Sequence, residues 1–373
     1  MRAMHKIELS YALTRLRRDG GIRNPLIELL QAVRREGSIS GAARALGQSY
    51  RHVWGELKRW ETELGHGLIV WDKGQPARLT AFGEKLLWAE RQAQARLAPQ
   101  IEALHADLER AFAVAFDDAT QVLTLYASHD DALALLREHA AGSARLHLDI
   151  RFTGSVDAIA ALNEGRCTMA GFHTPPRPAP GSAFERAYHP LLQPGLHKII
   201  GFARRSQGLA VAPGNPLGLA SFANLSRGAR FVNRALGSGT RLLAEELLAG
   251  AGLAPVAIEG WNRVEPSHAA VAQAVASGSA DAGLVIEATA RARGLDFVPL
   301  VEEDYYLVCL KSLLEDTPVQ GLRQVLAAPA WQGLLRTLPG YEPLRSGEVL
   351  SLSEQLPWWR YARAKRKSAP APG

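Results

Sequence analysis

Between about residue 120 and residue 310 the chain alternates short apolar runs with helical stretches, and one run after another stops at a turn of Gly, Ser and Thr. This rhythm limits the fold more than any other feature, because strands joined through helices pack as a layered α/β sheet. Residues 122–126 are apolar, stop at Ala127-Ser-His-Asp130, and a helix begins at Asp131. Residues 146–152 stop at Thr153-Gly-Ser155, with a helix expected over 156–163. Residues 169–173 form the next strand. Arg230-Phe-Val-Asn233 ends near Gly237-Ser-Gly-Thr240, ahead of a helix over 241–249. Residues 267–277 read as a helix and 282–286 as a strand, with two separate strands at 297–300 and 305–310.

Ligands of open α/β sheets bind beyond the carboxyl ends of the strands. Three turns at that end carry small hydroxyls: Ser128, Thr153 with Ser155, and Ser238 with Thr240. Each opens a helix, whose free N–H groups favour an anion. Gly154 and Gly239 allow close backbone approach. Any one such turn is also an ordinary helix cap, but three in matching positions point to an anion site made of neutral donors. His129, His173 and Arg241 stand nearby in sequence and could add charge. No metal is expected, because His129 lacks a spaced partner to complete a ligand set. Ser238 is not in a Gly-x-Ser-x-Gly context, and no catalytic residue is assigned. The region therefore reads as a binding module, not an enzyme.

The first 80 residues are different in kind. They hold 14 basic against 8 acidic residues, within a chain of net charge +6. Pro25 opens a helix that Gly37 ends. Ser38 caps a second, with Ile39, Ala42, Ala43 and Leu46 at helical spacing, and Gly47 turns the chain. A third runs from Ser49 to about Leu64, with Val53, Leu57 and Trp60 facing inward. Two helices joined by a Gly turn form the helix-turn-helix pattern. The second presents Ser49, Tyr50, Arg51 and His52 at its N-terminus, the end that reaches base edges, with Lys58 and Arg59 further along. Residues 68–71 and 79–80 flank a Gly/Pro tip as a wing, where Lys73 and Arg78 would meet the DNA backbone or minor groove. Residues 6–13 read as a strand.

Thr80 then caps a helix from Ala81 to about Phe116 with an apolar stripe through Leu86, Leu97, Ile101, Leu104 and Leu108. It is too long to hide that stripe in one small domain, so a partner helix should cover it. Pro99 should break or kink it. Residues 360–373 hold five basic and no acidic residues, and their Ala-Pro-Ala-Pro-Gly end is expected to be disordered. Cys167 and Cys309 sit in apolar stretches as buried thiols. No run of 18 apolar residues exists, and the N-terminus lacks the apolar core of a secretion signal. A cytoplasmic protein without membrane contact is expected.

The stretch Gly37-Ser-Ile-Ser-Gly-Ala-Ala-Arg-Ala-Leu-Gly-Gln-Ser-Tyr-Arg-His-Val-Trp54, followed by Leu79-Thr-Ala-Phe-Gly83, resembles the winged helix of ModE-type molybdate-responsive regulators and of the wider LysR type. Thr153-Gly-Ser155, Ala170-Gly-Phe-His173, Gly237-Ser-Gly-Thr-Arg241, Ser279-Ala-Asp-Ala-Gly-Leu-Val285 and Asp304-Tyr-Tyr306 resemble the type 2 periplasmic-binding-protein fold of LysR effector domains and of molybdate- and tungstate-binding proteins. That resemblance implies a two-lobed domain with Ser128, Ser155, Ser238 and Tyr305 lining the cleft. The departure is that ModE-type regulators proper carry small molybdate-binding barrels instead of such a domain.

The expected architecture is α/β and multidomain. A winged helix-turn-helix over 1–80 is followed by a dimerisation helix over 81–118, a two-lobed effector domain over 119–355 and a basic tail over 356–373. The expected function is a homodimeric regulator, with a tetramer as the next assembly, on a palindromic double-stranded operator. Its effector would be molybdate, tungstate or a related molybdenum-cofactor species, with no cofactor. The alternatives are a formate-like carboxylate as effector, or an enzyme or carrier in molybdenum-cofactor handling.

Overall fold

A computed structural model of the protein describes residues 24–71, 76–116 and 119–359. The expected strand over 6–13, the wing-tip Lys73 and the basic residues from 360 onward lie outside the described residues. The chain divides into two compact units, Met1–Ile101 and Glu102–Gly373.

In the first unit, α1 (Pro25–Glu36) starts where Oδ1 of Asn24 accepts from the Leu26 and Ile27 amides, at 3.1 and 3.4 Å, and stops at Gly37. Gly37 has φ +61°, a left-handed conformation that costs glycine little. In α2 (Ile39–Ala45), Ser38 accepts from the Gly41 amide at 3.0 Å. α3 (Tyr50–Leu64) begins at Ser49. β1 (Ile69–Val70) and β2 (Arg78–Leu79) pair antiparallel as the base of the wing. Leu30, Val33, Val53, Leu57 and Leu68 are fully buried in the shared core.

α4 (Ala81–Phe116) starts with Thr80 Oγ1 accepting from the Gly83 amide at 3.0 Å. The expected break at Pro99 does not occur. The helix runs through it, forgoing the one hydrogen bond that the missing N–H would make. Along it Leu97 and Leu104 are 40% and 54% exposed, and Trp88 is also exposed.

The second unit is one mixed sheet flanked by helices. Its first half comprises β3 (Gln121–Ala127), α5 (Asp131–Ala144), β4 (Leu146–Phe152), α6 (Ser155–Asn163), β5 (Met169–Thr174) and α7 (Ala183–Tyr188). The chain then enters β6 (His197–Val211), β7 (Phe231–Arg234), α8 (Gly239–Gly250), β8 (Val264–Glu265), α9 (His268–Ala276), β9 (Ala282–Ile286) and α10 (Glu287–Arg291). It returns through β10 (Asp296–Leu310), α11 (Thr317–Ala327), α12 (Pro329–Leu335), β11 (Tyr341–Pro343), β12 (Val349–Leu350) and α13 (Leu352–Gln355). The strand order is β4-β3-β5-β10-β6-β9-β7-β8, with β11 and β12 added on β6.

The 15-residue strands β6 and β10 are the frame. They pair antiparallel from Asp296 opposite Val211 to Leu310 opposite His197. One end of the pair joins β5, where Asp304 lies opposite Thr174, and the other joins β9, where Gln207 lies opposite Ile286. Two lobes thus share two continuous strands. Residues 297–300 and 305–310, expected as separate strands, belong to one strand, and the acidic Glu302-Glu-Asp304 between them is its middle. Packing is dense where the strands cross the frame. A Cβ at Gly208 would stand 2.1 Å from the Val298 carbonyl oxygen, so only glycine fits there. The Trp331 and Phe202 rings stack at 6.1 Å in the first lobe, and Phe231 and Trp261 stack at 6.2 Å in the second.

Candidate functional site

The helix-turn-helix presents a basic and aromatic face. Arg51, His52 and Arg78 are exposed. Ser49 caps α3, its Oγ accepting from the His52 amide at 3.2 Å and keeping its own O–H free to donate. Lys58 and Arg59 are not idle charges. Lys58 pairs with Glu61 at 2.7 Å, and Arg59 pairs with Glu56 at 2.7 Å and Glu63 at 3.6 Å. Exposed pairs of this kind are weak, so phosphates can compete for these cations. Glu61 also holds the wing. Its Oε1 accepts from the Leu68 and Ile69 amides at 2.8 and 3.3 Å and seats that hairpin against α3. Tyr50 stacks on Trp54 at 6.5 Å, and Trp54 meets Trp71 edge-on at 6.1 Å.

In the second unit the three hydroxyl turns do meet. Ser128 and Ser155 are buried with their hydroxyls 3.2 Å apart. The Val156 amide donates to the Gly237 carbonyl at 3.3 Å, which brings the start of α6 against the start of α8. Ser238 itself is a cap: its hydroxyl donates to Ala235 O at 2.8 Å and accepts from the Arg241 amide at 3.3 Å. Thr153 and Gly154 form the half-buried approach, and the His129 ring packs on Phe152 at 4.8 Å.

Beneath these turns, at the middle of β6 and β10, lies a buried polar cluster. Arg205 is fully buried and donates through Nη1 to Asp130 Oδ2, and through Nε and Nη2 to Glu303 Oε2 at 3.3 and 3.2 Å. Its guanidinium lies 4.9 Å over the Tyr305 ring. The Tyr341 hydroxyl donates to Asp130 Oδ2 at 2.9 Å. Glu303 also faces His173 Nδ1 at 2.9 Å and accepts from Gln207 Nε2 at 2.5 Å. Gln207 Nε2 reaches Thr240 Oγ1 at 3.2 Å, and Thr240 Oγ1 stands 3.4 Å from His268 Nε2. His173 and Thr240 therefore share one network with Tyr305.

Arg241 does not join it. Three residues past the cap, its buried side chain stacks 4.4 Å over Trp261 and bonds to Trp261 O at 3.2 Å and Glu245 at 3.0 Å. A second buried cation is Arg234, the last residue of β7, which is 4% exposed and stands opposite Glu265 of β8. Among the described residues its Nε and Nη1 make no hydrogen bond. Burial, reinforced by repulsion from Arg205, pushes its guanidinium down to about 9. His173 Nε2, Gln207 Oε1, His268 Nδ1 and Tyr305 Oη are also buried without a hydrogen-bond partner among the described residues. Sequence reading placed the strand one residue too early and missed Arg234. It also missed Arg205, Gln207 and Glu303, for which buried polar residues inside long strands were the one signal, and His268, the first residue of α9.

Burial holds His173 and His268 below the ordinary imidazole value, His268 further because Arg234 and Arg205 repel a second charge. Burial alone would raise Glu303, but the N–H of His173, the charge of Arg205 and the Gln207 amide outweigh it and hold the carboxyl below its ordinary 4.5. A carboxyl lowered on folding stabilises the fold fully above its unfolded value and loses that contribution as pH falls through the folded one. Glu303→Gln should cost about 3–5 kcal/mol at neutral pH by leaving Arg205 underpaired. In acid the difference from the parent should shrink, as read by urea denaturation at both pH values.

Two family models match. One, described as the bacterial regulatory helix-turn-helix protein of the LysR family, covers residues 26–84, and a PBP superfamily domain covers residues 136–327. The uncharacterised protein YvgK of Bacillus subtilis (strain 168) is 27% identical over 228 residues, 61% of this chain and 73% of that one. An uncharacterised Clostridium pasteurianum protein, from the 5′ region of a ferredoxin 2Fe-2S gene, is 30% identical over 111 residues, 30% of this chain and 98% of that one. Among solved structures, full-length CbnR complexed with its target DNA aligns with TM-score 0.40 and 18% identity over 80% of this chain and 98% of that one. LysG from Corynebacterium glutamicum with bound effector Arg aligns with TM-score 0.38 and 21% identity over 81% and 96%.

Proposed function

The chain belongs to the PBP superfamily and joins that domain to a LysR-family helix-turn-helix, as a LysR-type, ligand-responsive, DNA-binding transcriptional regulator, and we propose that its effector is a small anion seated on Arg234. The observation that carries this is the buried guanidinium with two unpartnered nitrogens. An unpaired buried cation is costly, and an anion in the cleft removes that cost. The guanidinium favours a small carboxylate, because its planar donors match a planar carboxylate. Molybdate and tungstate are the second reading. The helix starts and hydroxyls of the cleft favour a tetrahedral oxyanion, and the resemblance of those turns to molybdate-binding proteins supports it.

Binding acts by linkage: an anion that touches both lobes favours their approach, and the DNA-bound population shifts by the difference in affinity. Leu97, Ile101, Leu104 and Leu108 follow a four-three-four spacing on α4, the seam of a paired helix. Leu97 and Leu104 are exposed there, which supports a homodimer with two heads on a palindromic operator.

Two measurements check this reading. Arg51→Ala should weaken operator binding by about 1–3 kcal/mol and relax preference at one position of each of two half-sites, read by footprinting and titration. Unchanged affinity and preference would remove Arg51 from base recognition. In a thermal-shift screen of formate, acetate, glycolate, molybdate, tungstate, sulfate and phosphate, the effector class should stabilise the protein by about 2.7 kcal/mol at a hundredfold excess over Kd. No rise with any of these anions would defeat the anion reading.

A further inference from the structure

Tyr50 is the first residue of α3, and its ring lies beside Trp54 one turn on, 5° from parallel with centroids 6.5 Å apart. Trp54 is half-buried and packs on the core of its unit. Trp71, the residue after β1 in the wing, meets it edge-on at 6.1 Å. Lys58 Nζ lies 4.8 Å from the centre of the same indole. Trp54 is thus held by three neighbours, and Tyr50 and Trp71 stand out beside it, 44% and 57% exposed. Glu61 keeps the wing at this distance from α3, because it accepts from the Leu68 and Ile69 amides while pairing with Lys58.

Two exposed rings joined through a third make a continuous apolar patch, and such a patch marks a surface that a partner covers. Arg51 follows Tyr50 and is exposed, and Lys58 lies against Trp54, so cations fringe the patch. Duplex DNA fits this mixture of apolar surface and positive charge, and it is the partner of a LysR-family helix-turn-helix. The end of a recognition helix that carries Tyr50 enters the major groove. The base edges there show hydrogen-bonding groups and one apolar group, the C5-methyl of thymine. A ring on that end has this methyl as its apolar counterpart. Trp71, on the wing, meets the DNA backbone instead, where the deoxyribose is the apolar part.

Resting on the reading of α3 as the recognition helix, we infer that the Tyr50 ring reads one thymine of each half-site by packing on its C5-methyl. Trp54 is the positioning residue: it holds the Tyr50 ring and touches no base. Trp71 packs on a deoxyribose and adds affinity without sequence preference. None of these contacts neutralises a phosphate, so they leave the salt dependence of binding to the arginines and lysines.

Titration of the full chain with a duplex selected from randomised DNA tests this, each thymine in turn being replaced by uracil, the same base without the methyl. At one thymine of each half-site the exchange should weaken binding by the parent about fourfold, the worth of one buried methyl. Tyr50→Phe should keep that ratio. Tyr50→Ala should bring it towards one while the salt slope stays unchanged. Trp54→Ala should lose the ratio too, and Trp54→Phe should restore it. Trp54 packs on the core, so the variants of the exposed Tyr50 decide if Trp54→Ala does not fold. Trp71→Ala should weaken the thymine and uracil duplexes alike. A parent that binds every uracil duplex as tightly as the thymine duplex, or a ratio that survives Tyr50→Ala, overturns the inference. The recognition helix stands in that case if Arg51→Ala still relaxes base preference, and falls with it if Arg51→Ala changes nothing.

Discussion

Arg205 sits fully buried between two carboxylates, Asp130 and Glu303, at the place where the two long strands pass from one lobe to the other. That triad is the constraint on which the second unit depends. Asp130 caps α5, accepting from the Ala132 amide at 2.8 Å, so the guanidinium ties a helix of the first lobe to both central strands. Tyr341, far along the chain, adds its hydroxyl to the same carboxylate. Three buried ions in this arrangement do not make the fold more stable than apolar packing would. They fix the positions of His173, Gln207 and Tyr305, and so the shape of the cleft.

The triad holds one cation and two carboxylates, and a second buried cation, Arg234, lies in its field. Facing Arg234 in the β7–β8 register is the buried Glu265, yet Nε and Nη1 of Arg234 find no hydrogen-bond partner among the described residues. Asp131 does not supply one. Burial and the neighbouring Asp130 raise its carboxyl, and it bonds to Thr289 at 3.0 Å instead. Two guanidinium nitrogens without hydrogen-bond partners are poised to respond to an anion, because the ligand contributes what the chain withholds. That difference in partners separates the two central arginines by role, one building the frame and the other reaching for the ligand.

The parts of the structure governed by local rules were legible in the sequence. Ser38 and Ser49 cap the helices expected of them, Gly37 ends the first, and the turns at Thr153-Gly-Ser155 and Gly237-Ser-Gly-Thr240 each open a helix. What failed was decided by distant partners. Glu302-Glu-Asp304 looks like a loop because acidic residues are poor strand formers, yet Glu303 is buried there by Arg205 from another strand. Arg241 looked like the cleft's cation because it follows the hydroxyl turn, but helical geometry turns it towards Trp261. Arg234 gave no local signal, being one charge at the end of Phe231-Val-Asn.

The measurement closest to the centre is the thermal stability of Arg234→Met, with and without the effector anion. Removing an unpaired buried cation should raise the stability of the ligand-free protein by about 1–3 kcal/mol, and the anion should then add nothing. A variant that is less stable without ligand, yet still gains as much from the anion as the parent, would contradict the assignment of Arg234 as the anchor.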